Sequence, residues 1–363
     1  MIIASYFVLS FTLIQMLVVL VNLIFKEKIN NLESDFNGLV SVLIPARNEE
    51  LNIGNLLEDL QKQDYTNIEV IIFDDQSNDN TSEIVKHFMD SDKRIKLIES
   101  VELPSGWLGK NYACHEMSKL AKGKYLLFID ADVRLKGRII FHSIAKSEMN
   151  NLGLLSIFPI QQMQTIGEKV TVPNMNFILL SLLPLMLVRK TKYKSIAAAN
   201  GQFMLFQSEI YQSLCPHKKM KSNKVEDIEI ARYFKKLNFP VACLTGYESV
   251  TCRMYHGFKE SVNGFSKNII SFFGNSYLLA FLFWLITTFG FIVVFVGAST
   301  YLLIFYFIIL ITIRIFVSDI SKQKILSNIL LIIPQQISLG IILFKAGMNT
   351  LKKEYLWKGR NIS

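Results

Sequence analysis

Three polar clusters stand where this chain could do chemistry: Pro45-Ala46-Arg47-Asn48-Glu49-Glu50, Asp74-Asp75-Gln76-Ser77-Asn78-Asp79-Asn80-Thr81, and Asp130-Ala131-Asp132. Side chains of an extended chain repeat with a period of two, so Asp130 and Asp132 leave the same side and can converge on one hard cation. A nucleoside diphosphate would share that cation. Asp, Asn and Ser are also ordinary turn and N-cap residues, and any one cluster alone reads as structural. Together, each behind an apolar run, they are hard to explain as turns. Neither GxGxxG nor GxxxxGK[ST] occurs, which argues against a dinucleotide fold or a P-loop. His87, His115, His142, His217 and His256 form no ligand pair. Cys114, Cys215, Cys243 and Cys252 form no CxxC pair, so neither a zinc module nor a disulfide scaffold is encoded, and the thiols read as reduced and cytosolic.

The elements that must position these clusters are short apolar runs at 39–45, 68–73, 95–98, 125–129 and 154–158. Between them lie helical patterns such as Ile53-Leu56-Leu57-Leu60 and Ala113-Met117-Leu120. Strands apolar on both faces and joined through helices predict an α/β domain over residues 36–270 with a mostly parallel sheet. Ligands of such sheets sit beyond the carboxyl ends of the strands, where the polar clusters lie.

The 363 residues are 51% hydrophobic and 19% charged, with a mean hydropathy of +0.32. Soluble globular chains of ordinary composition do not reach that value. Residues 1–25 carry no charge and read as a transmembrane anchor; a cleaved signal is disfavoured, with no basic region before the run and no small-x-small site after it. Lys26 and Lys28 follow at once, which places the domain in the cytoplasm by the positive-inside rule. Residues 271–345 read as C-terminal membrane helices. The uncharged stretch 268–313 suits two spans joined near Gly297-Ala298-Ser299-Thr300, and Arg314, Lys322 and Lys324 mark the return. The run 325–344 either spans once more or is re-entrant at Pro334-Gln335-Gln336. The second option keeps the basic tail 346–363 inside, and it is the one adopted.

The net charge of +9 collects beside these apolar segments, without interleaved aromatics, so no nucleic acid is expected. Residues 174–188, with Pro184 inside and Arg189, Lys190, Lys192 and Lys194 behind, read as an interfacial helix at the bilayer surface; a core helix is the competitor, and the trailing basic cluster favours the surface. Lys218, Lys219, Lys221 and Lys224 form a second basic group, either a solvated loop or a lure for headgroups or donor.

Over roughly residues 38–260 the motifs resemble the family-2 inverting glycosyltransferases with a GT-A fold. The stretch from Val40 to Glu50 is similar to the family's opening strand and loop, which implies nucleotide-sugar contacts for Pro45, Arg47 and Glu49. The second cluster resembles DDxSxDxT, with Asp75 implied as partner of the base. Asp130-Ala131-Asp132 resembles DxD, which implies Asp132 as metal ligand for Mg²⁺ or Mn²⁺ and Asp130 near the ribose and diphosphate. Glu226-Asp227 resembles the ED motif, making Asp227 the implied catalytic base; without the resemblance, both carboxylates would simply favour a helix N-terminus.

Gly106-Trp107-Leu108-Gly109-Lys110, Ala198-Ala199-Asn200-Gly201-Gln202-Phe203, Arg253-Met254-Tyr255 and Trp357-Lys358-Gly359-Arg360 are similar to the membrane-anchored, lipid-glycosylating branch, including hopanoid-associated and carotenoid-type transferases. The resemblance implies donor contacts for Lys110 and Arg253, and an acceptor side formed by Trp107, Asn200, Gly201, Gln202 and Glu226. Arg253 could equally hold a lipid phosphate, Lys110 could be a solvated charge, and Trp107 could be packing. The QxxRW signature of processive synthases is missing. The expected protein is therefore an integral cytoplasmic-membrane enzyme, its domain facing the cytoplasm, that transfers a sugar with inversion from a nucleotide-diphosphate sugar, a UDP-sugar first, to a hydroxyl of a lipid acceptor. Its rivals are a polyprenyl-phosphate glycosyltransferase, a polysaccharide synthase, and a non-catalytic membrane protein that binds nucleotide.

Overall fold

A computed structural model describes residues 1–27, 29, 32–352, 356–357 and 360–361; Lys28, Lys358 and Gly359, invoked above for charge or motif, lie outside them. The chain divides into two compact units, one made of 27–160 and 186–253, the other of 1–26, 161–185 and 254–363. Residues 161–185 and 254–270, expected within the α/β domain, therefore belong with the apolar helices. The reason is packing: Phe177, Leu180, Val262 and Phe265 are buried in the same cluster as Phe283, Ile313 and Ile342.

The first unit is an α/β sheet domain. Its strands are β1 (Val40–Ala46), β2 (Ile68–Asp74), β3 (Ile95–Glu99), β4 (Tyr125–Ile129), β5 (Val133–Leu135), β6 (Leu154–Phe158), β7 (Ile160–Gln161, at the unit boundary), β8 (Phe203–Gln207), β9 (Val241–Thr245) and β10 (Val250–Cys252). Seven of them form one sheet in the order β3-β2-β1-β4-β8-β6-β9. β1 runs parallel to β2 and β4, β2 to β3, and β6 to β9, while β8 is antiparallel to both β4 and β6. The buried apolar runs of β1, β2 and β4 explain their central place, covered on both faces. Helix Ile53–Gln61 packs through Ile53, Leu56, Leu57 and Leu60, the stripe its spacing predicts. Where the chain enters β4, a Cβ on Gly123 would lie 2.5 Å from the Ser41 backbone nitrogen, so only glycine fits beside β1. β5 and β10 pair antiparallel, bringing Cys252 opposite Val133, just after the Asp-x-Asp.

The second unit contains three helices long and apolar enough to cross a membrane among the described residues: Ile2–Ile24, Tyr277–Gly297 and Thr300–Ile320. Ser299 Oγ accepts from Leu302 N at 3.4 Å and caps the last of them at the tight turn. The run 325–344 is not one of the three. It forms Ile325–Leu330 and the start of Ile332–Lys352, with the break at Leu331. Pro334 sits in the first turn of the second helix, where a missing N–H costs nothing, so it is not the expected break.

The expected interfacial helix is instead two helices, Pro173–Leu182 and Leu185–Lys190. The first is a core helix, with Phe177, Ile178 and Leu180 at most 2% exposed. The interruption before Pro184 is closed by buried Asn22, whose Nδ2 donates to the carbonyls of Leu180 and Leu183, both at 2.9 Å, while its Oδ1 accepts from Leu185 N at 2.7 Å. An apolar run looks the same in sequence whether protein or lipid covers it.

Candidate active site

β1, β2 and β4 end on one edge of the sheet, so the three polar clusters meet there. The loops after β1 and β2 brace each other: Asn48 N donates to Ser77 Oγ at 2.9 Å, Asn78 N to Asn48 Oδ1 at 2.9 Å, Glu49 N to Thr81 Oγ1 at 2.8 Å, and Asn80 N to Glu50 Oε2 at 3.1 Å. Asp74 accepts from Ser82 Oγ at 2.6 Å and from both Ser77 N and Ser77 Oγ. Asp79 holds the first turn of helix Thr81–Ser91 through Thr81 N at 3.1 Å. Much of the DDxSxDxT cluster is thus scaffolding. Arg47 donates to the Asp75 carbonyl and, at 3.3 Å, to that of Gln76, fixing the loop that presents buried Asp75. Pro45 is the penultimate residue of β1.

Beyond β4, Lys110, in the first turn of helix Gly109–Leu120, is the centre of the site. Its Nζ lies 2.6 Å and 2.9 Å from the two carboxylate oxygens of Asp130, 3.4 Å from the Gly201 carbonyl and 3.5 Å from Glu226 Oε1. Glu226 and Asp227 open helix Glu226–Lys236, where the positive end of the helix favours them. Asp227 Oδ1 accepts from Ile228 N at 2.8 Å and Oδ2 from Gly201 N at 2.9 Å. A Cβ at Gly201 would meet Lys110 Nζ at 3.0 Å and Glu226 Oε1 at 3.2 Å, so the smallest residue stands where the charges crowd.

Burial, then the Asp227 charge, pushes Glu226 up to about 7 against the pull of Lys110, and burial raises Asp227 against its two N–H donors and Lys110. Burial opposes charge on Lys110, but Asp130 and Glu226 outweigh it and hold its pKa above the ordinary value.

Asp132 has different surroundings. Burial, then the charges of Asp130 and Glu49, pushes it up to about 7. Gln202, 3% exposed, donates through Nε2 to Cys252 Sγ at 2.8 Å and reaches Asp132 Oδ1 at 3.5 Å, while its carbonyl accepts from Asp130 N at 3.2 Å. Like charges crowded at a strand end are relieved by a cation. Among the described residues no group of three or more His, Cys, Asp or Glu is spaced to hold a metal. A Mg²⁺-type ion needs no such group, because it takes one or two carboxylates and completes its shell with substrate phosphate oxygens and water.

The residues expected from sequence thus divide. Lys110, Asp130, Gly201, Glu226 and Asp227 converge, and Gln202 braces Asp130 and Asp132. Asn200 is bound to Ser156, whose Oγ accepts from Asn200 N at 2.8 Å, and its Oδ1 accepts from Gln202 N, which shapes the turn. Trp107 stacks on His115 with centroids 5.3 Å apart and meets Tyr112 edge-on. Packing against the helix that follows it therefore fixes the ring. Arg253 follows β10 directly after Cys252, half-buried. Cys252 and Ser156 carried no signal in the sequence, because each acts through contacts tens of residues away.

Residues 41–213 match the family described as Glycosyl transferase family 2. The chain is 28% identical over 240 residues to 4,4'-diaponeurosporenoate glycosyltransferase of Staphylococcus haemolyticus (strain JCSC1435), covering 65% of this chain and 62% of that protein. It is 26% identical over 241 residues to the protein of the same name in Staphylococcus aureus (strain USA300), covering 63% and 60%. The chain thus spans about three fifths of the length of the curated relatives it matches. The mannosyltransferase PcManGT from Pyrobaculum calidifontis, solved in complex with GDP-Man and Mn²⁺, shares the fold, with a TM-score of 0.55 at 15% identity over 96% of this chain and 99% of that one.

Proposed function

We propose, from the match of residues 41–213 to Glycosyl transferase family 2, that the chain moves a sugar, with inversion, from a nucleotide-diphosphate sugar to an oxygen nucleophile on a membrane lipid. The observation that carries this reading is the convergence of Asp130, Lys110, Glu226 and Asp227 on Gly201 at the carboxyl end of the sheet. In this reading Asp227 takes the proton of an acceptor hydroxyl as its oxygen attacks the anomeric carbon and the bond to the diphosphate breaks. The N–H groups of Gly201 and Ile228 keep that carboxylate oriented. Lys110 holds Asp130 and Glu226 in a fixed arrangement and places a positive charge beside the leaving group. Asp75, with Arg47 fixing its loop and Pro45 and Glu49 beside it, faces the nucleotide. Arg253 adds a fork for diphosphate oxygens. Asp132 would hold Mg²⁺ or Mn²⁺, which when bound neutralises the diphosphate charge. Three apolar helices support a membrane-bound enzyme with a lipid acceptor, and Lys26 after the first supports a cytoplasmic site.

A second acceptor chemistry is favoured by the relatives' substrate, which is named as a carboxylate. A carboxylate acceptor is already anionic and needs no base. The test is transfer from radiolabelled UDP- and GDP-sugars into lipid extract, with membranes holding wild type, Asp132→Ala or Asp227→Asn, with and without Mn²⁺ or Mg²⁺. Metal-dependent label in organic-soluble product, lost in Asp132→Ala, supports the reading. If Asp227→Asn retains transfer, the acceptor is a carboxylate or a polyprenyl phosphate. Label in insoluble polymer would identify a synthase, and no incorporation from any donor would refute the enzyme reading.

A further inference from the structure

Within the apolar unit a charged side chain lies far from the sheet-edge chemistry. Arg314, on helix Thr300–Ile320, is 5% exposed. It lies six residues from the end of that helix, about 9 Å along the axis. Ile313 and Val317, on the same helix, are buried in the apolar cluster that also contains Phe177 and Leu339. The guanidinium lies over the Phe177 ring, 3.8 Å from the centroid, and Nη1 donates to Gln335 Oε1 at 3.1 Å. Among the described residues no carboxylate lies within ion-pairing distance. Guanidinium has five N–H donors and a charge that cannot be shed, so one amide oxygen and one aromatic face leave it poorly compensated. Ionisable residues buried among membrane helices are costly and pair with something.

The surrounding network is also short of acceptors. Gln335 Nε2 donates to Asn328 Oδ1 at 3.1 Å, and Asn328 Nδ2 donates to Ser318 Oγ and Gln323 Oε1, both at 2.9 Å. That leaves Gln323 Nε2, in a side chain 7% exposed, as a buried donor without a hydrogen-bond partner. Asn174, whose Nδ2 donates to the Gln335 main-chain carbonyl at 3.0 Å, keeps its buried Oδ1 as a spare acceptor, suited to a hydroxyl. A positive charge with free donors, a second free amide donor and one acceptor call for an anionic oxygen group on a ligand that tolerates apolar surroundings.

We propose that the apolar unit binds one amphiphile through an oxyanion, phosphate or carboxylate, paired with the Arg314 guanidinium. The ligand class is a lipid acid, supplied either as a phospholipid of the bilayer or as a free acid-bearing lipid. This does not rest on the reaction proposed above, and no sheet-domain residue takes part.

The test uses the full chain, delipidated in nonionic detergent and titrated with dioleoylphosphatidylglycerol, oleate or oleyl alcohol, with bound lipid read by native mass spectrometry and by equilibrium binding. Wild type is expected to take one equivalent of an anionic probe saturably and to prefer it over the alcohol. Arg314→Gln is expected to weaken that binding at least tenfold, and Arg314→Lys to fall between, because an ammonium keeps the charge and loses the fork. Preference for phosphatidylglycerol identifies bilayer phospholipid as the source, and preference for oleate identifies an acid-bearing lipid. Wild type that binds neither anion better than the alcohol, or Arg314→Gln that binds as wild type does, would overturn the proposal. Should Arg314→Gln fail to fold, Gln323→Leu replaces it, with several-fold weaker anion binding expected and unchanged binding counting against the site.

Discussion

Replacing Lys110 with Met keeps most of the aliphatic stem and removes the charge that holds Asp130 against Glu226. The Lys110 ammonium lies 2.6 Å from Asp130. At that separation and an effective dielectric of about 20, one such pair is worth roughly 6 kcal/mol before desolvation. The lysine is 34% exposed and Asp130 27%. Screening and regained hydration therefore reduce the net loss to about 1–2 kcal/mol, a fall in midpoint of about 3–6 °C for a domain of this size. Transfer should suffer more, by about 10²–10³ in kcat, the usual cost of losing one oriented charge at a leaving group. Lys110 pulls down both Glu226, which sits at about 7, and Asp227; without the cation both should climb, and Asp227 as the base carries the acid limb of the pH-rate profile upward. The assay is sugar transfer in lipid nanodiscs across mildly acidic to mildly alkaline pH, beside thermal unfolding of the same samples, with Lys110→Arg as the charge-retaining control. A Lys110→Met protein with normal midpoint, kcat within threefold of wild type and an unmoved acid limb would refute this account of the site.

The remaining expectations concern other groups. Glu226 and Asp132 have folded pKa values of about 7. These lie above the ordinary carboxylate range of about 4, so their contribution to stability is complete below about pH 4 and lost as pH rises through about 7. The metal-free midpoint should drop between about pH 4 and 7, less so in Glu226→Gln, while transfer rises over the same interval. Asp132→Ala should abolish the response of transfer to Mn²⁺ yet leave the metal-free protein at least as stable at about pH 8, because a like charge beside Asp130 and Glu49 is gone. A midpoint lowered by several degrees would contradict this. Asn22→Ala removes at once the partner of the Leu180 and Leu183 carbonyls and of the Leu185 N–H. It should destabilise the apolar unit by about 2–4 kcal/mol, measured by unfolding in detergent.

Legibility followed the range of the interactions. β1, β2 and β4 were readable because strands buried on both faces leave continuous apolar runs, and the polar clusters follow them directly. β8 and β9 were not singled out. Phe203–Gln207 is as apolar as β4, but its antiparallel place between β4 and β6 is set by partners dozens of residues away. The meeting of Lys110, Asp130 and Glu226 was approached only through family resemblance, and no spacing in the sequence encodes it. The helix Pro173–Leu182 was misplaced at the bilayer surface because hydropathy weighs the side chains and says nothing of what covers them. Asn22, Cys252 and Arg314 were opaque for the same reason: their meaning lies in a partner, not in a pattern.

The sheet unit is built from two stretches of chain, with residues 161–185 lodged in the other unit between them. That arrangement orders events during synthesis. β4 and β6 leave the ribosome before β8, the strand that joins them, exists. The ribosome must also first release Phe177, Ile178 and Leu180, all buried in the finished fold. Each is worth about 1.5–3 kcal/mol when taken out of water. The nascent sheet therefore stays open until residues 203–207 have been made, and by then the apolar helix Pro173–Leu182 must already have found its cover among the apolar helices, a stage at which unpaired strand edges and apolar side chains are exposed together.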